Sequence, residues 1–136
     1  MRDKLSVLKE YFGHDSFREG QGRITDSLLG GRDVLGIMPT GAGKSICYQV
    51  PALMFDGITI VVSPLISLMK DQVSALVQSG VAAAYINSSL THAQYLKVLQ
   101  NIKSGKYKII YVAPERLCAP AFLGICRNLN ISMVAV

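Results

Sequence analysis

Six consecutive residues, Thr40-Gly41-Ala42-Gly43-Lys44-Ser45, join two glycines, a lysine and two hydroxyl side chains at one point of the chain. Glycines let backbone N–H groups converge on a common space without a Cβ in the way. A helix starting near Lys44 adds the positive end of its dipole to that space. Such a loop binds the phosphates of a nucleoside triphosphate: Lys44 reaches the β- and γ-phosphates, and the Ser45 hydroxyl ligates Mg²⁺. Lys44 and Ser45 are therefore the candidate catalytic pair, and Pro39, Thr40, Gly41, Ala42 and Gly43 complete the nucleotide-binding loop. The general template G-x-x-x-x-G-K-[ST] has glycine at the position of Met38, so the match is incomplete on pattern alone. A phosphate loop by itself does not choose between a kinase, a GTPase, a transporter ATPase and a helicase.

The loop needs a strand before it and a helix after it. Asp33–Met38 reads as the first strand, and Pro51 is expected to kink or end the helix that follows, because it lacks a donor and crowds the preceding turn. Upstream, helices are expected over Asp3–Phe12, with Leu5, Leu8 and Phe12 on one face, and over Arg18–Leu29, with Ile24 and Leu28 on one face. Downstream, Ile58–Val62 is a nearly all-apolar strand, as a sheet covered on both faces requires. Ser63 and Pro64 read as cap and first position of a helix whose core face is Leu65, Leu68, Met69, Val73, Leu76 and Val77. Ala82–Ile86 and Lys108–Ala113 are further strands. Thr91-His92-Ala93-Gln94 is a capping box for a helix ending near Gly105, and Ala121–Arg127 a short helix. The last run, Ile131–Val136, reads as a buried strand without a closing turn, so the chain is expected to be part of something longer. This alternation is that of a parallel α/β sheet.

Composition agrees. The chain has 136 residues, half of them hydrophobic, and a net charge of +5, which suits an anionic partner. No apolar run approaches the ~18 residues that span a membrane. Cys47, Cys118 and Cys126 form no C-x-x-C pair; each reads as a small buried residue, and unpaired thiols fit a reducing cytoplasm. Lys103, Lys106 and Lys108 read as a solvated turn.

Several segments together resemble the RecQ family of DNA helicases, within helicase superfamily 2. Met38-Pro39-Thr40-Gly41-Ala42-Gly43-Lys44-Ser45 resembles the family's phosphate loop, methionine included. Tyr11 to Gln21 resembles its adenine-recognition segment, which implies base contacts from His14, Phe17, Arg18 and Gln21 and hence ATP as the nucleotide. An amide such as Gln21 can donate and accept towards the adenine edge, and Arg18 can stack on the base. The position of His14 is often tyrosine in the family. Taken without the resemblance, Phe17 is a core residue and Gln21 a solvent-exposed helix residue. Ser63 to Val73 resembles motif Ia on the DNA-facing side, and Tyr111 to Leu117 a further motif after a strand. Candidate DNA contacts are Ser63, Ser67, Lys70, Asn87, Ser88 and Arg116, each set against plain capping, turn chemistry or solvation. DEAD-box RNA helicases typically carry Pro-Thr-Arg-Glu-Leu where this chain has Ser-Pro-Leu-Ile-Ser-Leu, which favours the DNA enzyme.

The resemblance implies an incomplete first RecA-like domain over residues 1–136, with a helical adenine-recognition segment over about 1–31 and the phosphate loop and sheet over 33–136. It implies an ATP-dependent 3′→5′ DNA helicase using Mg²⁺, acting on single-stranded or partly unwound DNA, with no membrane association. The family's Asp-Glu-Ala-His segment is expected just past Val136, and a second RecA-like domain with an arginine finger beyond that. The chain alone is expected to bind nucleotide and not to unwind DNA. The competing readings are a P-loop kinase and a non-enzymatic nucleotide- or DNA-binding module.

Overall fold

Asp3 opens the first helix by accepting the Ser6 N–H on its carboxylate at 2.8 Å, in a computed structural model that describes residues 3–38 and 43–136. Two compact units are present, Met1–Phe55 and Asp56–Val136. In the first, α1 (Lys4–Phe12) ends at Gly13, whose φ of 74° is the left-handed conformation of a helix stop. Val7 and Leu8 of α1 are buried against Val50, with Tyr11, Phe12 and Phe17 packed around them. The buried face is centred between Val7 and Leu8, which puts Leu5, expected inside, at its rim and 45% exposed.

Helix α2 (Gln21–Leu29) begins three residues later than the periodicity suggests. Gly20 stands in the left-handed region at φ 86°, so the helix cannot extend back through it. Gln21 and Thr25 are the buried residues of α2, and Ile24 and Leu28 are only half-buried. An ion pair of 2.7 Å from Lys4 to Asp26 ties α1 to α2.

The expected strand Asp33–Met38 is not formed among the described residues, and Leu35 and Ile37 are each 89% exposed. A strand exists through lateral pairing, and no described strand pairs with this run. Helix α3 (Lys44–Met54) then runs through Pro51 instead of ending there. One turn follows the proline, closed by Phe55 N–H donating to the Pro51 carbonyl at 3.0 Å. Val50, Pro51 and Ala52 are all buried, and that burial offsets the lost hydrogen bond.

The second unit holds β1 (Ile58–Val62), α4 (Ile66–Gln78), β2 (Ala83–Ile86), α5 (His92–Lys103), β3 (Ile109–Val112), α6 (Pro114–Leu117), α7 (Pro120–Cys126) and β4 (Ile131–Ala135). The strands pair in the order β2-β3-β1-β4, every pair parallel, with Val62 beside Val112 and Ile86 beside Val112 on its other side. This is the parallel α/β architecture the sequence pattern implies. One core cluster gathers Ile60, Ile86, Leu99, Ile102, Ile110, Val112 and Phe122. The expected capping box is formed: Thr91 accepts the Gln94 N–H at 3.1 Å, and Gln94 accepts the Thr91 N–H at 2.8 Å.

Three expectations for this unit need correction. Helix α4 starts at Ile66, not at Pro64, and Ser63 does not cap it; the Ser63 hydroxyl accepts the Leu65 N–H at 3.2 Å in the turn ahead. Only Met69, Val73 and Leu76 of α4 are buried, while Leu65, Leu68 and Val77 are about half exposed, because the buried stripe of a helix against one sheet is narrow. Among the described residues β4 pairs only with β1, and its alternate residues are exposed, against the expectation of a buried strand. Gly57 is required beside it: a Cβ there would run into the Asn130 carbonyl and the Ser132 hydroxyl.

Candidate functional site

Gly43 is the N-cap of α3, in the left-handed region at φ 74°, and among the described residues no side chain caps the helix. Lys44 and Ser45 are thus the first two helical residues, Lys44 exposed and Ser45 half-buried. An uncapped helix start with glycine at the turn and a lysine and a serine at its first positions is suited to an anion, and the serine hydroxyl to a hard cation. The expected loop residues Pro39, Thr40, Gly41 and Ala42 lie outside the described residues.

Gln21 joins the segment that resembles the family's adenine-recognition segment to this helix start. Its Oε1 accepts the Arg18 N–H at 2.8 Å, and its Nε2 donates to the Gly43 carbonyl at 2.9 Å. Far from being a solvent-exposed helix residue, it is only 4% exposed. A Cβ on Gly43 would collide with the Gln21 amide, and the Arg18 guanidinium lies beside the same point. Glycine at 43 is therefore demanded twice, by its backbone conformation and by this contact. Phe17 packs on the Val7–Leu8–Val50 core, with the Lys4 ammonium 5.4 Å from its ring centre. His14 is exposed in the turn after α1. Met38, the departure from the general template, has a structural role: its sulfur lies 3.6 Å from Cys47 Sγ, and its methyl stands against Gly20. Burial pushes the Cys47 thiol above its ordinary pKa.

A second set of candidates gathers at one end of the sheet. Because all the strands are parallel, the residues just past β1, β2 and β3 share an edge: Ser63, then Asn87 and Ser88, then Pro114 to Leu117. Ser63 N–H donates to the Val112 carbonyl at 3.1 Å, and Ala113 N–H to the Ile86 carbonyl at 2.9 Å, which pins these segments together. Ligands of open parallel sheets bind at this end. Ser67, Lys70 and Ser88 are exposed there or on the adjoining α4, and Ser63 is half-buried.

Two of the six DNA candidates face inward. Asn87 is 1% exposed; its amide N–H₂ reaches the Met69 sulfur at 3.4 Å, and its Oδ1 accepts from Ser89 N–H at 2.9 Å and from the Ser89 hydroxyl. It organises the loop after β2 and has no surface to offer a nucleic acid. Arg116 is half-buried with its guanidinium 5.3 Å from the centre of the Tyr95 ring, so it anchors α6 to α5. The contacts to Met69 and Tyr95 leave no sign in the sequence, whereas the Asn87–Ser89 bonds are the local turn chemistry weighed above as the alternative to DNA contact.

A family model of the DEAD/DEAH box helicases matches residues 18–134. The chain belongs to the DEAD/DEAH box helicase family. Its sheet is thus the RecA-like α/β fold of that family. The RecQ resemblance extends over nearly the whole chain: it is 49% identical over 132 residues to "ATP-dependent DNA helicase RecQ" of Bacillus subtilis, covering 96% of this chain and 22% of that protein. It is 48% identical to the protein of the same name from Pasteurella multocida, covering 97% and 21%. With "ATP-dependent DNA helicase Q-like 5" of Arabidopsis thaliana the identity is 43%, covering 96% and 14%. The chain spans about a fifth of the length of the bacterial relatives.

Within this helicase-family chain the three cysteines differ. Cys47 is buried, Cys126 half-buried, and Cys118 exposed, against the expectation that each is interior. Among the described residues no group of His, Cys, Asp and Glu is placed to hold a metal, and no helix is long and apolar enough to cross a membrane.

Proposed function

We propose that this chain is the ATP-binding part of an ATP-dependent DNA helicase motor that moves 3′→5′ on single-stranded DNA. The observation that carries the reading is the Gln21 bridge, which fastens the adenine-recognition segment to Gly43 at the uncapped start of α3. One side chain thereby links the part that would read the base to the part that would hold the phosphates.

In this reading Arg18, His14 and Phe17 form the base side of the site, and residues 39–45 the phosphate side. Lys44 draws the β- and γ-phosphate oxygens to the helix start and offsets their charge. Ser45 would hold Mg²⁺, which when bound supplies further charge stabilisation at the phosphates. Single-stranded DNA would cross the sheet end at Ser63, Ser67, Lys70 and Ser88, held by its phosphates with little regard for sequence. The 136 residues alone bind nucleotide and do not unwind DNA, since water positioning and an arginine finger belong to parts the resemblance places beyond them.

The test is ATP hydrolysis by the full-length protein with and without single-stranded DNA. Hydrolysis should rise on adding DNA and vanish in Lys44→Ala. Turnover indifferent to DNA would overturn the motor reading.

A further inference from the structure

Among the described residues β2 is the outer strand of the sheet on the side away from β4. Its peptide groups alternate in direction. The Ala82 carbonyl accepts from Lys108 N–H at 2.7 Å and the Ile86 carbonyl from Ala113 N–H at 2.9 Å, both towards β3. By the same alternation the peptide groups of Ala83 and Tyr85 point away from β3, to the open edge. Beside this strand lies a cleft of about 500 Å³, walled by Val73 of α4, Tyr85 of β2, Gln94, Lys97 and Asn101 of α5, and Tyr107. Asn101 donates to the Tyr107 hydroxyl at 3.0 Å, which holds that end in shape.

Lys97 is the one charged side chain among the described residues that line the cleft. Between Asp71 and Glu115 the sequence has no acidic residue and four lysines, Lys97, Lys103, Lys106 and Lys108. Lys97 stands in the cleft wall, exposed, and among the described residues it makes no ion pair. Lys106 and Lys108 flank Tyr107. An open strand edge, small side chains at Ala83 and Ala84, and the exposed Lys97 make a consistent set.

We propose that β2 and this cleft take an extended, acidic segment of a partner protein as an added strand. Backbone groups of Ala83 and Tyr85 pair with the incoming main chain, small apolar side chains of the segment enter the cleft, and its carboxylates meet Lys97, with Lys106 in the following turn nearby in sequence. A nucleic acid could use the lysines but not the strand edge, so the observations favour a peptide.

The probe is a short fluorescein-labelled peptide of alternating valine and glutamate, followed by anisotropy on the purified protein. Saturable binding is expected, weakened roughly tenfold by Lys97→Glu, where an attraction becomes a repulsion. N-methylation of alternate amides in the peptide should weaken binding as well, without altering the protein at all. Circular dichroism of Lys97→Glu, a surface change, should match the parent. Absence of binding, equal binding of the methylated peptide, or displacement of the peptide by an oligothymidylate of equal charge would each overturn the proposal.

Discussion

Replacing Gln21 by glutamate separates the two ends of the bridge in a single atom. The variant keeps Oε1 for the Arg18 N–H, bonded at 2.8 Å, but loses the donor that reaches the Gly43 carbonyl at 2.9 Å. At neutral pH a carboxylate oxygen then faces a carbonyl oxygen in a place that is 4% exposed. Leaving a buried acceptor unmet costs about 1–3 kcal/mol, which corresponds to roughly 5–150-fold in an equilibrium. The added negative charge beside a phosphate site acts in the same direction, partly offset by the neighbouring Arg18 guanidinium. If Gly43 must be held where it is for nucleotide to bind, that loss falls on affinity. A fluorescent ATP analogue titrated into parent and Gln21→Glu protein should report weaker binding within that range, and a melting curve on each separates affinity from stability. Unchanged affinity with a lowered melting temperature would refute the reasoning, because Gln21 would then be a strut and nothing more.

Thr59 has a buried hydroxyl without a hydrogen-bond partner among the described residues, so Thr59→Val should stabilise the sheet by about 1 kcal/mol, seen as a higher denaturant midpoint at constant slope. Thr91→Ala removes the capping box of α5 and should cost about 1 kcal/mol by the same assay. The raised pKa of Cys47 means the thiol of the unfolded chain ionises first, so its contribution to stability is present below pH 9.0 and fades as pH rises past it. Iodoacetamide at mildly alkaline pH should accordingly label exposed Cys118 well before Cys47, as peptide mass mapping would show. Lys70→Ala should weaken single-stranded DNA binding alike for all sequences and reduce the salt slope by about 0.7, whereas a sequence-selective loss would argue against a phosphate contact.

Local signals were legible where local physics decides. β1 spans the very residues, Ile58–Val62, that an all-apolar run between turn residues marks out, and the Thr91–Gln94 box caps its helix as its spacing implies. The strand expected at Asp33–Met38 failed because apolar character alone cannot supply a lateral partner. Pro51 does not end its helix because its penalty is local while the burial of Val50 and Ala52 around it is tertiary. In the site, glycine, lysine and serine announce their chemistry by type, and Gly43 to Ser45 stand at a helix start as that chemistry requires. Gly43 lies 22 residues from Gln21 and Met69 lies 18 from Asn87, separations at which a linear pattern carries no information, while their other partners, Arg18 and Ser89, are local.

What divides the six DNA candidates is whether their polar atoms are already engaged by the protein. Asn87 spends its amide on Met69 and Ser89, and Arg116 lays its guanidinium over Tyr95; freeing either would cost the loop it holds. Among the described residues Ser67, Lys70 and Ser88 have no such duty, and they stand exposed near the strand ends that Asn87 and Arg116 keep in place. Asn87→Ala should therefore lower stability and blur DNA binding only through the loop it supports, while Lys70→Ala should change DNA binding and leave the melting curve alone. If the two variants behaved alike, exposure would have been the wrong criterion, and the sheet end would have to be read as one interdependent unit in which support and contact are not separable.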